Sequence, residues 1–214
     1  MADIDARGAA TRSTDYADRL VRLQTARWKQ RLDVQAPFRW NLKRLKPGFL
    51  LDVGCGIGRN LLHFPTQGVG VDTNEECVRV ARARGLTAFT PAEFHHSSEY
   101  NRPGRFDSIL FAHVAEHMTE AQVVTLLQEY ATLLRTGGQL ILITPQEAGF
   151  KSDATHVEFM DFPRLNRISE RLGLVPDRAF SFPFPRWAGR LFTYNEFVVV
   201  SRKPAGQPGR PHQA

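Results

Sequence analysis

From residue 49 onward the chain alternates short apolar runs with amphipathic stretches. The segment 49–53 (FLLDV) reads as a buried strand that ends in the glycine-rich loop GCGIGRN. Residues 68–71 (GVGV) form a second strand that stops at Asp72, and 74–84 carry a helical period. Residues 87–90 predict a third strand and 106–111 (FDSILF) a fourth. A well-patterned helix over 121–134 follows, with Thr136-Gly137-Gly138 as its C-terminal turn. A fifth strand spans 139–144 (QLILIT) and stops at Pro145; a helix over 163–172 ends at Gly173; a late strand covers 191–202. Before this core, Tyr16, Leu20, Leu23 and Trp28 recur at helical spacing over 14–33. A second helix over 36–46 has Pro37 in its first turn and Phe38, Leu42 and Leu45 on one side.

Strand–helix alternation predicts an α/β fold: a doubly wound, mostly parallel sheet with ligands at the carboxyl ends of its strands. Two late strands after a helix place an antiparallel hairpin at one edge. The expected organisation is a disordered N-terminus over 1–13 and a single domain over 14–202. Within that domain 14–47 forms a helical lid and 48–202 the core, and 203–214, rich in Pro and Gly, is a disordered tail.

Composition changes this picture little. Of 214 residues 42% are hydrophobic and 23% charged, a globular balance. No apolar run approaches the ~20 residues of a membrane-spanning helix. The polar N-terminus has no secretory signal pattern, so a cytoplasmic protein is the expectation. Cys55 and Cys77 form no Cys-x-x-Cys pair, which argues against a disulfide framework or structural zinc. The net charge of +6 lies mostly in 19–46 and near Arg202, Lys203 and Arg210. It reads as solvated surface, with nucleic acid as the alternative partner.

The sharpest signal is Asp52-x-Gly54-Cys55-Gly56-Ile57-Gly58-Arg59. A dinucleotide fingerprint wants its third glycine one place later. One strand on, Asp72 and Thr73 stand at a strand terminus, where a carboxylate meets ribose hydroxyls. With the segments 106–111 and 134–140 (LRTGGQL), these motifs resemble class I S-adenosylmethionine-dependent methyltransferases over roughly 49–202. The resemblance implies a Rossmann-like seven-stranded sheet in the order 3-2-1-4-5-7-6. It implies cofactor contacts from Asp52, Gly54, Cys55, Gly56, Gly58, Asp72 and Thr73. The family's adenine-loop acid falls near Pro91, which leaves Ala92 and Glu93 as substitutes. Trp28, Arg31 and Arg39 precede the first strand, where relatives close a lid, and Arg39 is a candidate partner for the methionine carboxylate.

After the fourth strand comes His113-x-x-Glu116-His117. It is similar to the Glu-x-x-Glu-His element of metal-dependent O-methyltransferases, with His156 as a further histidine later in the chain. That resemblance implies a divalent metal on His113, Glu116, His117 and His156, with His117, His156 and Glu116 catalytic. The family analogy indicates Mg²⁺, whereas a nitrogen-rich donor set suits Mn²⁺, Co²⁺ or Zn²⁺. The alternative for His156 is a metal-free general base or a plain loop histidine.

The loop 182–187 (FPFPRW) offers aromatic faces of the kind that stack on sugars or bases. A small-molecule hydroxyl, best a saccharide, is therefore the expected acceptor. The chain is similar in this respect to small actinobacterial carbohydrate O-methyltransferases, such as those acting on methylmannose polysaccharides. Competing readings are an RNA ribose 2′-O-methyltransferase, a metal-independent quinone or natural-product methyltransferase, and a cofactor-binding regulatory protein without catalysis.

Overall fold

The computed structural model describes residues 35–205; the helical reading of 14–33, Trp28, Arg31, the N-terminus over 1–13 and most of the expected tail lie outside them. Helix α1 (Ala36–Arg44) leads into β1 (Leu50–Val53), followed by β2 (Gly68–Val71), α2 (Glu75–Ala83), β3 (Ala88–Phe89) and α3 (Pro91–His95). Then come β4 (Phe106–Ala112), α4 (Glu120–Ala131), β5 (Leu134–Pro145), α5 (Glu147–Lys151), α6 (Phe162–Arg171), β6 (Val175–Phe182) and β7 (Glu196–Arg202). The seven strands lie in the order β3-β2-β1-β4-β5-β7-β6. Pairings from β3 to β5 are parallel, while β7 runs antiparallel to both β5 and β6. The expected sheet order and edge hairpin are both present. Among the described residues no helix is long and apolar enough to cross a membrane.

Every residue of β1 and β2 is buried, which is why these strands read as continuous apolar runs. Alternate side chains serve opposite faces of the sheet. On one face Leu51, Ile109, Leu140 and Val199 pack with Val123, Leu127, Leu165 and Ile168 from α4 and α6. On the other Leu50, Leu110, Ile141 and Val198 meet Leu42 and Leu45. The chain winds from β1 towards β3 in one direction and from β4 towards β5 in the other. The loops after β1 and β4 therefore open side by side at the point of reversal, where such sheets hold ligands.

Side-chain caps fix where the helices begin. Asn74 accepts from the Cys77 amide at α2, and Asp161 accepts from Arg164 at α6. Thr90 with Glu93, and Thr119 with Gln122, form capping boxes at α3 and α4.

Two boundaries differ from the sequence pattern for identifiable reasons. Thr136-Gly137-Gly138 is not a helix terminus: α4 stops at Ala131 and the three residues lie inside β5. They form an irregularity in the β4–β5 ladder, where Phe106 faces Leu134 but Ser108 already faces Gln139. The late strand begins at Glu196, not Leu191. The amides of Leu191 and Phe192 turn back onto the Ala188 carbonyl and that of Asn195 onto Phe192, so the alternation in 191–195 belongs to a folded connection. The edge strand β6 is exposed over most of its length and carries Pro176, Asp177 and Arg178, features that blunt an edge. At its other side the ladder runs one residue past β7, because Lys203 exchanges backbone bonds with Gly137 and Gly138.

A Cβ at Gly138 would lie 2.8 Å from the Arg135 carbonyl oxygen and 2.9 Å from that of Asp107. Backbone on both sides cannot yield cheaply. Gly138→Ala is expected to destabilise the fold by about 1–3 kcal/mol. Thermal melting should register this as a drop of about 2–4 °C per kcal/mol, and an unchanged melting temperature would contradict this packing.

Candidate active site

The loop after β1 is held by its own backbone. The amides of Gly54 and Cys55 both donate to the Val71 carbonyl, at 2.8 and 3.1 Å. Gly54 has φ +77, and a Cβ there would sit 2.4 Å from Val114 in the loop after β4. Only glycine lets the two loops touch. Cys55 is buried with its sulfur over Gly70, where a Cβ would be 2.5 Å away, and burial pushes its thiol well above the ordinary range.

Asp72 turns its carboxylate onto this loop. One oxygen accepts from the Gly56 amide at 2.7 Å and the other from Asn74 at 2.8 Å. Burial raises its pKa, and these two amides oppose the rise. Asp72 is thus not the helix cap; Asn74 is. Asp52 is fully buried and neither oxygen has a well-formed hydrogen bond. Burial pushes its pKa up to about 7, with Asn60 and Arg59 only partly offsetting and Asp72 adding to the rise.

The remaining cofactor candidates are placed less centrally. Thr73 is exposed, and the Ala92 carbonyl accepts from His96 Nδ1 at 2.7 Å. Glu93 is pulled down to about 2, chiefly by Arg82 and then by the Thr90 amide, so its carboxylate serves the α3 capping box. Arg39 is half-buried on α1.

The second loop follows β4. Residues Ala115–His117 form a short 3₁₀ turn, and the Glu116 carbonyl accepts from the amides of Val157 and Glu158. Those bonds bring the distant segment 153–158 against the turn. The result is a group of one donor atom each from Glu116, His117 and His156, all within 4.8 Å of one another. The two imidazole rings are 4.9 Å apart. His156 Nδ1 lies 2.7 Å from the Phe150 carbonyl, which can only accept, so that nitrogen carries the proton and Nε2 keeps its lone pair. His117 Nδ1 lies 3.3 Å from both the carbonyl and the hydroxyl of Thr155. Burial lowers the His117 pKa, and the neighbouring His156 adds to the fall while Glu116 opposes it. Glu116 is only 1% exposed and its Oε2 has no hydrogen-bond partner.

Of the four expected ligands, His113 lies outside this group of three, although it borders Glu116. Its backbone adopts φ +59 and its Nε2 lies 2.8 Å from a Glu196 oxygen, with Nδ1 3.5 Å from Glu116. Burial alone would lower its pKa, yet the two carboxylates prevail and lift it to about 9. Its partner Glu196 escaped the sequence reading. The available signal was an acid directly before the apolar run FVVV.

The connection between β6 and β7 forms a wall beside this site. Gln146 donates to Ser181 and to the Glu196 carbonyl, and it accepts from Asn195; Arg186 pairs with Glu147. The Gly149 Cβ position lies 2.5 Å from the Thr193 carbonyl, so the connection packs directly onto α5. Phe150 of α5 stacks on His156 at 5.2 Å. Outward, Trp187 is 68% and Leu191 82% exposed, with Phe184, Phe192 and Tyr194 beside them.

A methyltransferase-domain family matches residues 21–177, and the chain belongs to it. The fold is that of class I methyltransferases, and solved structures of S-adenosylmethionine-dependent methyltransferases share it. Among curated relatives, ajmaline N-methyltransferase of Rauvolfia serpentina is 29% identical over 108 residues, 46% of this chain and 36% of that protein. The tRNA (carboxymethyluridine(34)-5-O)-methyltransferase of Xenopus tropicalis is 27% identical over 158 residues, 72% of this chain and 24% of that protein. The chain thus spans about a third or less of either relative's length. Similar solved folds include magnesium protoporphyrin IX methyltransferase from Synechocystis with bound S-adenosylhomocysteine, at TM-score 0.62 and 17% identity, covering 90% of this chain and 96% of that one. An S-adenosylmethionine-dependent methyltransferase from Archaeoglobus fulgidus has TM-score 0.61 at 18% identity, covering 78% and 93%.

The unpartnered Asp52 gives a pH-dependent prediction. Its folded pKa of about 7 exceeds the ordinary 3.8, so ionisation destabilises the ligand-free fold. That cost builds from about pH 4 and levels off above about pH 7. Asp52→Asn should therefore melt higher than wild type at pH 8, with the gap closing as pH falls. Parallel curves for the two proteins would mean that Asp52 is solvated.

Proposed function

We infer that this chain transfers the methyl group of S-adenosylmethionine to a hydroxyl of a small molecule, of the saccharide class, with a divalent cation on Glu116, His117 and His156. The observation that carries this reading is the trio of one buried carboxylate and two half-buried imidazoles near the glycine loop. Its donors fit a cation. His156 turns Nδ1 to a backbone carbonyl, as metal-ligating histidines do, and His117 Nδ1 lies near another. Glu116 Oε2 is a buried acceptor with nothing to accept. Two nitrogens and one oxygen suit Zn²⁺, Mn²⁺ or Co²⁺ better than Mg²⁺. A cation there would orient the acceptor hydroxyl and ease its deprotonation.

The chain's own groups account for the remaining steps. Asp72 uses one lone pair of each oxygen internally and retains others for the two ribose hydroxyls. Asp52 and the loop residues Gly54, Cys55, Gly56 and Gly58 border the methionine side, where an ammonium would relieve the desolvated Asp52. The acceptor oxygen attacks the methyl carbon as the bond to sulfur breaks, leaving a neutral thioether and one proton. That proton passes to solvent at this mouth; were the trio free of metal, His117 or His156 would be the base near pH 7. His113, held as a cation, keeps Glu116 and Glu196 in place. Trp187 and its aromatic neighbours offer a stacking face for a sugar ring.

A second reading is methylation of an RNA hydroxyl, favoured by the tRNA-modifying relative and by the basic charge. Labelled methyl transfer to partly methylated sugar oligomers and to short 3′-hydroxyl RNAs decides between them. Transfer to RNA alone would replace the saccharide reading.

Two outcomes are expected of the purified protein. S-adenosylhomocysteine should bind in calorimetric titration, and Asp72→Ala should weaken it by about 100-fold or more, since it removes two charge-assisted bonds of roughly 1.5–3 kcal/mol each. Co²⁺ should give the visible absorption of a bound site, abolished in His156→Ala and Glu116→Gln, while both variants still bind S-adenosylhomocysteine. A chelator should suppress turnover; undiminished activity in chelator would leave His117 or His156 as a metal-free base.

A further inference from the structure

The opposite end of the sheet carries a second concavity, independent of the methyl-transfer reading. It has a volume of about 590 Å³ and lies among the amino ends of the parallel strands, far from the glycine loop. Arg44, Lys46, Arg135, Arg178 and Arg202 line it. They come from α1, the turn after it, β5, β6 and β7, so no single charged run explains their convergence.

Carboxylates offset only part of this charge. Arg135 pairs with Asp107, while Arg202 and Arg178 share Asp177 at 3.0 and 3.5 Å. Neither Arg44 nor Lys46 is in an ion pair among the described residues; the Arg44 guanidinium lies 4.9 Å from the rings of Trp40 and Phe180. Five cations thus face two acids.

The turn that carries Lys46 is built rather than loose. Lys46 has φ +51, a conformation that costs a side-chain-bearing residue energy. Buried Gln139 donates to the Leu45 carbonyl at 3.0 Å and to Ser108 Oγ, which itself donates to the Pro47 carbonyl. A Cβ at Gly48 would lie 2.5 Å from Asp107 Oδ2, so the turn presses directly on β4. Gln139 lines the cavity, and its buried Oε1 has no donor.

We propose that this cationic cavity binds a small anion with two or more adjacent phosphoryl groups. Its volume suits a ligand of that size. Guanidinium forks converging from separate elements match phosphoryl oxygens in two-pronged contacts. The cations cluster in one concavity instead of following a track, and among the described residues no aromatic ring lines it to stack on bases. An extended RNA is therefore disfavoured here.

Inorganic tripolyphosphate is the direct probe, titrated calorimetrically into the whole chain, with a nucleoside triphosphate in a parallel arm. One saturable site is expected, together with a rise in melting temperature that sulfate at equal ionic strength does not reproduce. The nucleoside should add nothing to affinity. Arg44→Gln combined with Lys46→Gln should weaken tripolyphosphate by about tenfold or more, and Arg178→Glu on the exposed edge strand should do the same independently. Both variants should bind S-adenosylhomocysteine like wild type, which shows them folded. Non-saturable binding, an equal shift from sulfate, or unchanged affinity in both variants overturns the proposal. So does a short RNA that binds through these residues and is not displaced by tripolyphosphate.

Discussion

The site depends on one close approach: the loop after β1 lies against the loop after β4, with Gly54 touching Val114. A parallel doubly wound sheet guarantees that these loops emerge side by side, but not that they meet. Gly54 closes the gap because it has no side chain to place there. The Val71 carbonyl then pins the first loop from one side, and the last hydrogen bond of β4's ladder, from the His113 amide to Ile143, fixes the second. The two loops are thereby locked together at one end of the sheet, which apolar layers support on both faces.

Around that end the structure buries three carboxylates and treats them differently. Glu116 and Glu196 share one imidazole, so their charge is offset only in part within the protein. Asp52 has no such partner, and its proton affinity rises accordingly. Leaving a buried acid unmatched costs the free protein stability, a pattern typical of groups whose counter-charge arrives with a ligand.

Much of this was legible in the sequence because backbone demands leave residue signatures. The strand order, the edge hairpin, Asp72 beside the glycine loop, and the approach of His156 to Glu116 and His117 all match the reading of motifs at strand ends. What was misread depends on contacts between distant segments. His113 has the spacing of a ligand, and its pairing with Glu196, 83 residues on, could not be read from that spacing. Thr136-Gly137-Gly138 has the composition of a helix terminus, and cross-strand register alone shows it to be a bulge. The strand β6 lacked a pattern because an exposed edge needs none. Glu93 resembled an adenine contact by position, while local capping claims its carboxylate.

The sheet order also bears on how the chain can be assembled. β7 lies between β5 and β6 although it comes last, so neither of those strands can pair with the other beforehand. As the polypeptide leaves the ribosome, β5 presents the apolar backbone edge at 140–143 with no neighbour until residues 196–203 appear. Docking of that final strand closes both open edges at once. Completion of the fold is thus a late, single event spanning some sixty residues of sequence, with the partner strands exposed to misassociation until it happens.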